Sequence, residues 1–252
     1  SIPSQFLNQS ETLVVYTPAI SKFNKEYKYF KDNGFEILKR SELLGLISKD
    51  KFCIAIGGTH GKTTTSTILS HILLENNISF TSFIGGISEN YNTNFIQNGN
   101  DIILVEADEF DRSFHTLFPN IACVTSTDSD HLDIYNSEQE LKKSFIQFTD
   151  NIKPKGLLFS NEKTLLGGIS YGFSSESEYF ISNYSSAKYS SFFVFTPVKK
   201  KCSSKLIRFM TARLRSSATA GSSVGRIPRL CTPLPVKVKL GATALNHSRL
   251  IR

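Results

Sequence analysis

The chain has 252 residues, 40% of them hydrophobic and 20% charged, which is material for one large domain or two modest ones. That composition excludes collagenous, coiled-coil and wholly disordered chains. No apolar run approaches the roughly 20 residues a membrane helix needs. The net charge of +7 is lopsided: residues 1–195 carry 16 Lys+Arg against 22 Asp+Glu, whereas residues 196–252 carry 13 Lys+Arg and no acid.

The N-terminal SIPSQFLNQSE has neither the basic flank nor the apolar run of a signal peptide. The chain begins at Ser1 and its only methionine is Met210, so a preceding segment is expected. Cys53, Cys123, Cys202 and Cys231 are scattered, with no CxxC pair. Cys53 and Cys123 sit in apolar, strand-like runs and are expected to be reduced core residues of a cytoplasmic protein, not a disulfide frame.

In chain order, Thr12–Tyr16 reads as a buried strand. Ser21–Asn33 reads as a helix with Phe23, Tyr27 and Phe30 on one face. Phe35–Leu38 is a second short strand and Ser41–Ile47 a second helix. Lys51–Ile56 is a strand that runs into Gly57 and Gly58. Lys62–Asn76 follows as a helix with Ile68, Ile72 and Leu73 on its apolar face, Leu69 beside them and His71 outward. Asp101–Val105 and Ile121–Thr125 are apolar without alternation, as strands covered on both faces are. Ser137 with Glu140 three residues later is a capping box opening a helix to Ile152, and Gly156–Ser160 is a further strand. Strands that alternate with helices in this way predict an α/β fold: a mostly parallel sheet of P-loop type with flanking helices. Gly168–Phe173 and Ser191–Thr196 read as strands of an added β element.

Three segments carry chemistry. Gly57-Gly58-Thr59-His60-Gly61-Lys62-Thr63-Thr64 follows a strand and opens a helix, the context of a phosphate-binding loop. Its amides and the helix N-terminus suit phosphate oxygens. Lys62 can reach the β- and γ-phosphates, and the Thr63 hydroxyl can ligate Mg²⁺. The spacing is one residue shorter than the standard loop, because Ile56 stands where the first glycine belongs. The second segment places Glu106, Asp108, Glu109 and Asp111 after an apolar strand. Such crowding of like charge is costly unless a cation relieves it, and Glu106, nearest the strand, is the first choice as ligand. Partial balance by Arg112 is the plainer alternative. The third segment, Asp128–Asp133, follows Ile121–Thr125 and contains His131, a possible metal ligand or phosphoryl-orienting group. If their strands are neighbours, all three segments meet at the carboxyl ends of one sheet.

Gly58–Thr64 (GTHGKTT), Glu106–Phe114 (EADEFDRSF) and Asp130–Tyr135 (DHLDIY) together resemble the Mur ligase family, and Leu13–Ile20 is similar to the end of that family's first domain. The resemblance spans about residues 12–195. It implies a division into residues 1–48, a remnant of the UDP-binding first domain, and residues 49–195, the central ATP-binding domain. It also implies an ADP-forming ligase of peptidoglycan synthesis that uses ATP and Mg²⁺. The branch most resembled joins L-alanine to UDP-N-acetylmuramate through an acyl phosphate. Lys62, Glu106 and His131 would be catalytic. Gly58, Thr59, His60, Gly61, Lys62, Thr63 and Thr64 would hold the nucleotide, and Thr63, Glu106 and His131 the metals. Neither a membrane nor a nucleic acid is expected as partner.

Residues 196–252 do not resemble the family's third domain. They are expected to be either an out-of-frame translation or a basic arm for nucleic acid or anionic lipid. With the second alternative the chain would be an ATP-binding module with no ligase activity. The chain is expected to be incomplete and inactive by itself. A Lys62→Ala substitution is expected to abolish Mg-ATP binding and leave the fold intact.

Overall fold

The computed structural model describes residues 2–128, 135, 137–186, 189–195 and 214–215. The expectations placed on Asp130, His131 and Asp133, and on most of 196–252, lie outside those residues.

The first elements form a small layer of their own. β1 (Leu13–Tyr16) pairs in parallel with β2 (Glu36–Lys39), joined through α1 (Lys25–Asp32). Asn24 caps α1, its side chain accepting from the Glu26 and Tyr27 amides. That cap starts the helix later than its apolar spacing suggests and leaves Phe23 outside it, 91% exposed. The expectation of a buried first strand is also corrected. β1 forms, but Leu13 and Val15 are exposed.

α2 (Arg40–Lys49) leads directly from β2. Glu42 accepts from the Lys39 amide at 2.7 Å and closes its first turn. At its far end the Lys153 ammonium donates to the carbonyls of Ser48 and Lys51 and to Asn120 Oδ1.

The remaining strands form one ten-stranded sheet. They are β3 (Phe52–Gly57), β4 (Phe80–Ser88), β5 (Thr93–Gln97), β6 (Ile102–Glu106), β7 (Ile121–Val124), β8 (Leu157–Asn161), β9 (Ile169–Gly172), β10 (Tyr179–Ser186), β11 (Tyr189–Phe195) and the two-residue β12 (Leu214–Arg215). Their order is β12-β11-β10-β9-β8-β7-β3-β6-β4-β5. Every pairing from β10 to β4 is parallel, and the outer pairings at both edges are antiparallel.

The sheet's centre is covered on both faces, which is why β3, β6 and β7 read as unbroken apolar runs. On one face Cys53, Ala55, Val105, Ala122 and Val124 meet Phe145 and Phe148 of α4 (Glu138–Asp150) and Phe114 of a 3₁₀ segment (Phe110–Thr116). Phe114 stacks on Phe148 with centroids 5.1 Å apart and meets Phe145 edge-on at 5.4 Å. On the other face Ile54, Ile56 and Leu104 receive Leu69 and Leu73 of α3 (Lys62–Glu75).

The face α3 turns to the sheet is therefore Ser66, Leu69, Ser70 and Leu73, with both serines buried. Leu69 and Leu73 of the predicted face are on it, whereas Ile68 and Ile72 give way to the serines. Small serines bring the helix close, and Ser70 donates to the Ser66 carbonyl and bonds Ser82 of β4 at 2.8 Å. His71 does not simply face outward, because its ring bonds the Tyr91 hydroxyl. Cys53 and Cys123 are free thiols, and burial pushes Cys53 up to about 12. Among the described residues no helix is long and apolar enough to cross a membrane.

Candidate functional site

The sheet order puts β7, β3 and β6 side by side, so the condition for the three segments to converge is met. The loop after β3, the acidic run after β6 and the start of the segment after β7 share one end of the sheet.

The loop is braced by the chain following β7. Thr59 donates its amide to the Ser126 carbonyl at 3.0 Å, and its hydroxyl bonds Ser126 Oγ at 2.7 Å. The His60 amide donates to Ser126 Oγ at 2.9 Å. Thr125 donates its amide to the Gly57 carbonyl at 2.9 Å and its hydroxyl to the Gly57 and His60 carbonyls. Two glycines make this possible. Gly58 has φ +131°, and a Cβ there would strike Thr125 Oγ1 and the Ser126 amide. Gly61 has φ +81° and stands at the N-cap of α3 without a side chain to cap it. The first-turn amides of α3 thus have no N-cap side chain over them, the arrangement that favours an anion.

Lys62 opens α3 and folds back across the loop. Its ammonium donates to the Gly58 carbonyl at 2.7 Å and to both Glu109 oxygens at 2.9 and 2.8 Å. Those three acceptors match its three protons. Glu109 is fully buried, and Tyr135 donates to its main-chain carbonyl at 2.6 Å. Burial raises the pKa of the Tyr135 phenol, with smaller contributions from its neighbours.

Glu106 ends β6 opposite Ile56. Its Oε1 accepts from the Thr63 hydroxyl at 2.8 Å and its Oε2 from the Gly85 amide at 2.7 Å. A cleft lined by Arg40, Gly85, Glu106, Asp108 and Ser113 opens beside this carboxylate.

The acidic run is therefore shared out. Glu106 goes to Thr63 and Glu109 to Lys62, while Asp108 accepts from the Phe110 amide at the start of the 3₁₀ segment. Arg112, the expected counter-charge to the run, reaches Glu140 of α4 at 3.7 Å and lies over the Tyr135 ring at 5.5 Å. Asp128 is exposed. Of the candidate residues, Thr63 and Glu106 are in contact, Lys62 is turned to Gly58 and Glu109, and His131 lies outside the described residues. Sequence reasoning gave no role to Glu109, Gly85 or Ser126. The pair Asp108–Glu109 was a signal for the first, but nothing in the spacing says which acid turns inward.

The family model for the Mur ligase middle domain matches residues 56–217. A protein named UDP-N-acetylmuramate–L-alanine ligase from Flavobacterium psychrophilum is 50% identical over 182 residues, which is 72% of this chain and 40% of that protein. A protein of the same name from Christiangramia forsetii is 47% identical over 183 residues, with the same two shares. The chain thus spans about 40% of the length of these relatives. Among solved structures, the UDP-N-acetylmuramate–alanine ligase of Thermotoga maritima superposes with a TM-score of 0.66 at 25% identity, covering 80% of this chain and 46% of that one. The match covers more than half of the chain, and the chain belongs to the Mur ligase family, whose middle domain it carries.

Proposed function

We propose that the chain is the ATP-binding part of an ADP-forming ligase that joins L-alanine to UDP-N-acetylmuramate. The observation that carries the reading is the pairing of a phosphate-type loop, with Lys62 at its mouth, to the Thr63–Glu106 contact at 2.8 Å. The names of relatives at 47–50% identity support the choice of substrates.

Thr63 and Glu106 fit a magnesium ion. They are hard oxygen donors converging from α3 and β6, and Mg²⁺ is commonly held by one or two protein oxygens with water and phosphate filling the rest. Bound there, the ion would offset charge on the transferring phosphoryl group. The loop and the first turn of α3 bind the phosphates, and Lys62 gives up part of its hold on Glu109 or Gly58 to reach them. The cleft beside Glu106 takes the muramate carboxylate, with Arg40 in its lining. One carboxylate oxygen attacks the γ-phosphorus and ADP leaves. The alanine amine then attacks the acyl carbon, phosphate leaves, and the amine loses a proton.

The test is calorimetric binding of ATP to the chain with and without Mg²⁺, because a chain that spans about 40% of its relatives' length is expected to turn nothing over by itself. Mg²⁺-dependent ATP binding is expected, and its absence would overturn the reading. Release of ADP by the chain when UDP-N-acetylmuramate and L-alanine are added would overturn the expectation that the chain is inactive by itself.

A further inference from the structure

We propose that Gly85 is a positioning residue for the Glu106 carboxylate, and that the bare backbone at this position sets the site's affinity for its divalent cation. The inference rests on the reading of Glu106 as a ligand of that cation and deepens it.

β4 pairs with β6 as far as Phe83 opposite Val105. On its other side the pairing with β5 jumps from Phe83 to Ser88. Gly85 falls in that gap, outside both registers, with its amide turned to Glu106. It donates to Glu106 Oε2 at 2.7 Å, while Thr63 donates to Oε1 at 2.8 Å. The carboxylate is gripped at both oxygens, from β4 and from α3. Partners of this kind fix the orientation of a metal's ligands.

The contact has no room for a side chain. A Cβ on residue 85 would lie 2.8 Å from Glu106 Cδ and Oε1 and 2.9 Å from Oε2. Gly85 is not among the glycines with positive φ, so alanine is excluded by the carboxylate and not by backbone strain. The carboxylate ends a flexible side chain, so it is what gives way. Alanine at 85 therefore moves Glu106 off Thr63 and leaves the strand in place.

The experiment uses the 252-residue chain, with ADP binding followed by calorimetry in EDTA and at rising Mg²⁺, and with a melting curve for each variant. Gly85→Ala is expected to keep the metal-free ADP affinity and the melting temperature. The Mg²⁺ needed for half-maximal enhancement of ADP binding should rise roughly tenfold or more. Glu106→Gln, run alongside, should raise it at least as far. An unchanged Mg²⁺ requirement in Glu106→Gln would bring down the reading of Glu106 as ligand. A raised requirement in Glu106→Gln but not in Gly85→Ala would overturn the positioning role alone. Loss of fold in Gly85→Ala would also overturn it, because the strand and not the carboxylate would then be absorbing the methyl.

Discussion

Lys62 holds a charge that the interior cannot leave alone. Glu109 has no solvent exposure, and the Lys62 side chain keeps only 13% of its own. A buried pair of this kind adds little net stability when complete, because both ions have lost their water. Breaking it is another matter, since the remaining carboxylate stays desolvated. Lys62→Ala is therefore expected to lower the unfolding free energy by about 3–5 kcal/mol, measurable by urea denaturation. The sequence-based expectation that this substitution spares the fold is revised for that reason. Lys62→Met combined with Glu109→Gln should recover most of the loss, since no unpaired charge remains. That double variant, and not Lys62→Ala, is the clean reference for nucleotide binding.

Between elements, α2 meets the 3₁₀ segment at a glycine. Gly45 is buried in the middle of the helix, and a Cβ there would strike the main-chain carbonyl of Thr116 at the end of the 3₁₀ segment. Thr116 in turn donates its hydroxyl to the Ser41 carbonyl at 2.8 Å. Alanine at position 45 would gain about 0.5–1 kcal/mol in helix propensity. Against that, a methyl forced onto backbone costs about 1–3 kcal/mol. The neighbour is a carbonyl fixed in a helical turn, so the cost wins. Gly45→Ala should destabilise the chain, with a lower melting temperature and faster proteolysis near α2. A rise in melting temperature would show that α2 can slide away from the 3₁₀ segment.

For the molecule as a whole, stability should depend on pH through His115. This ring joins the 3₁₀ segment to α4, with Nε2 at 2.9 Å from Ser144 Oγ and 3.0 Å from the Ser144 carbonyl. Burial lowers its pKa from 6.5; the Ser144 carbonyl pulls the other way, and the Arg112 charge adds to the lowering. Above pH 6.5 both folded and unfolded chains carry a neutral ring. Below it the unfolded chain takes up a proton that the folded chain resists, so stability falls as pH drops, until the folded pKa is passed. His115→Gln should flatten the dependence of the urea midpoint on pH below 6.5. A slope unchanged in that variant would assign the dependence to other groups.

The sequence by itself determined the elements whose signals are local. The strand, glycine and Lys-Thr succession at 51–64 announced a loop on a helix N-terminus. The unbroken apolar runs of β3, β6 and β7 announced a sheet buried on both faces, and Ser137 announced the start of α4, whose first turn it caps. These rest on propensity, capping and periodicity, which act over a few residues. The β4–β5 hairpin was not legible. Its strands, FTSFIGGIS and TNFIQ, are rich in Gly, Ser and Asn, and β4 exists because β6 and β5 hydrogen-bond it on both sides. The face of α3 was read in part: Leu69 and Leu73 meet the sheet, but small polar serines, and not the larger isoleucines, let the helix approach it. At the site, tertiary structure decided which acid does what. Four carboxyl groups stand within six residues, and only strand order and burial bring Glu106 to Thr63 and Gly85 and send Glu109 inward to Lys62. Charge alone cannot make that division, because every member of the run carries the same sign. The partners that separate them lie 20 to 50 residues away in sequence and are adjacent only when the sheet is formed.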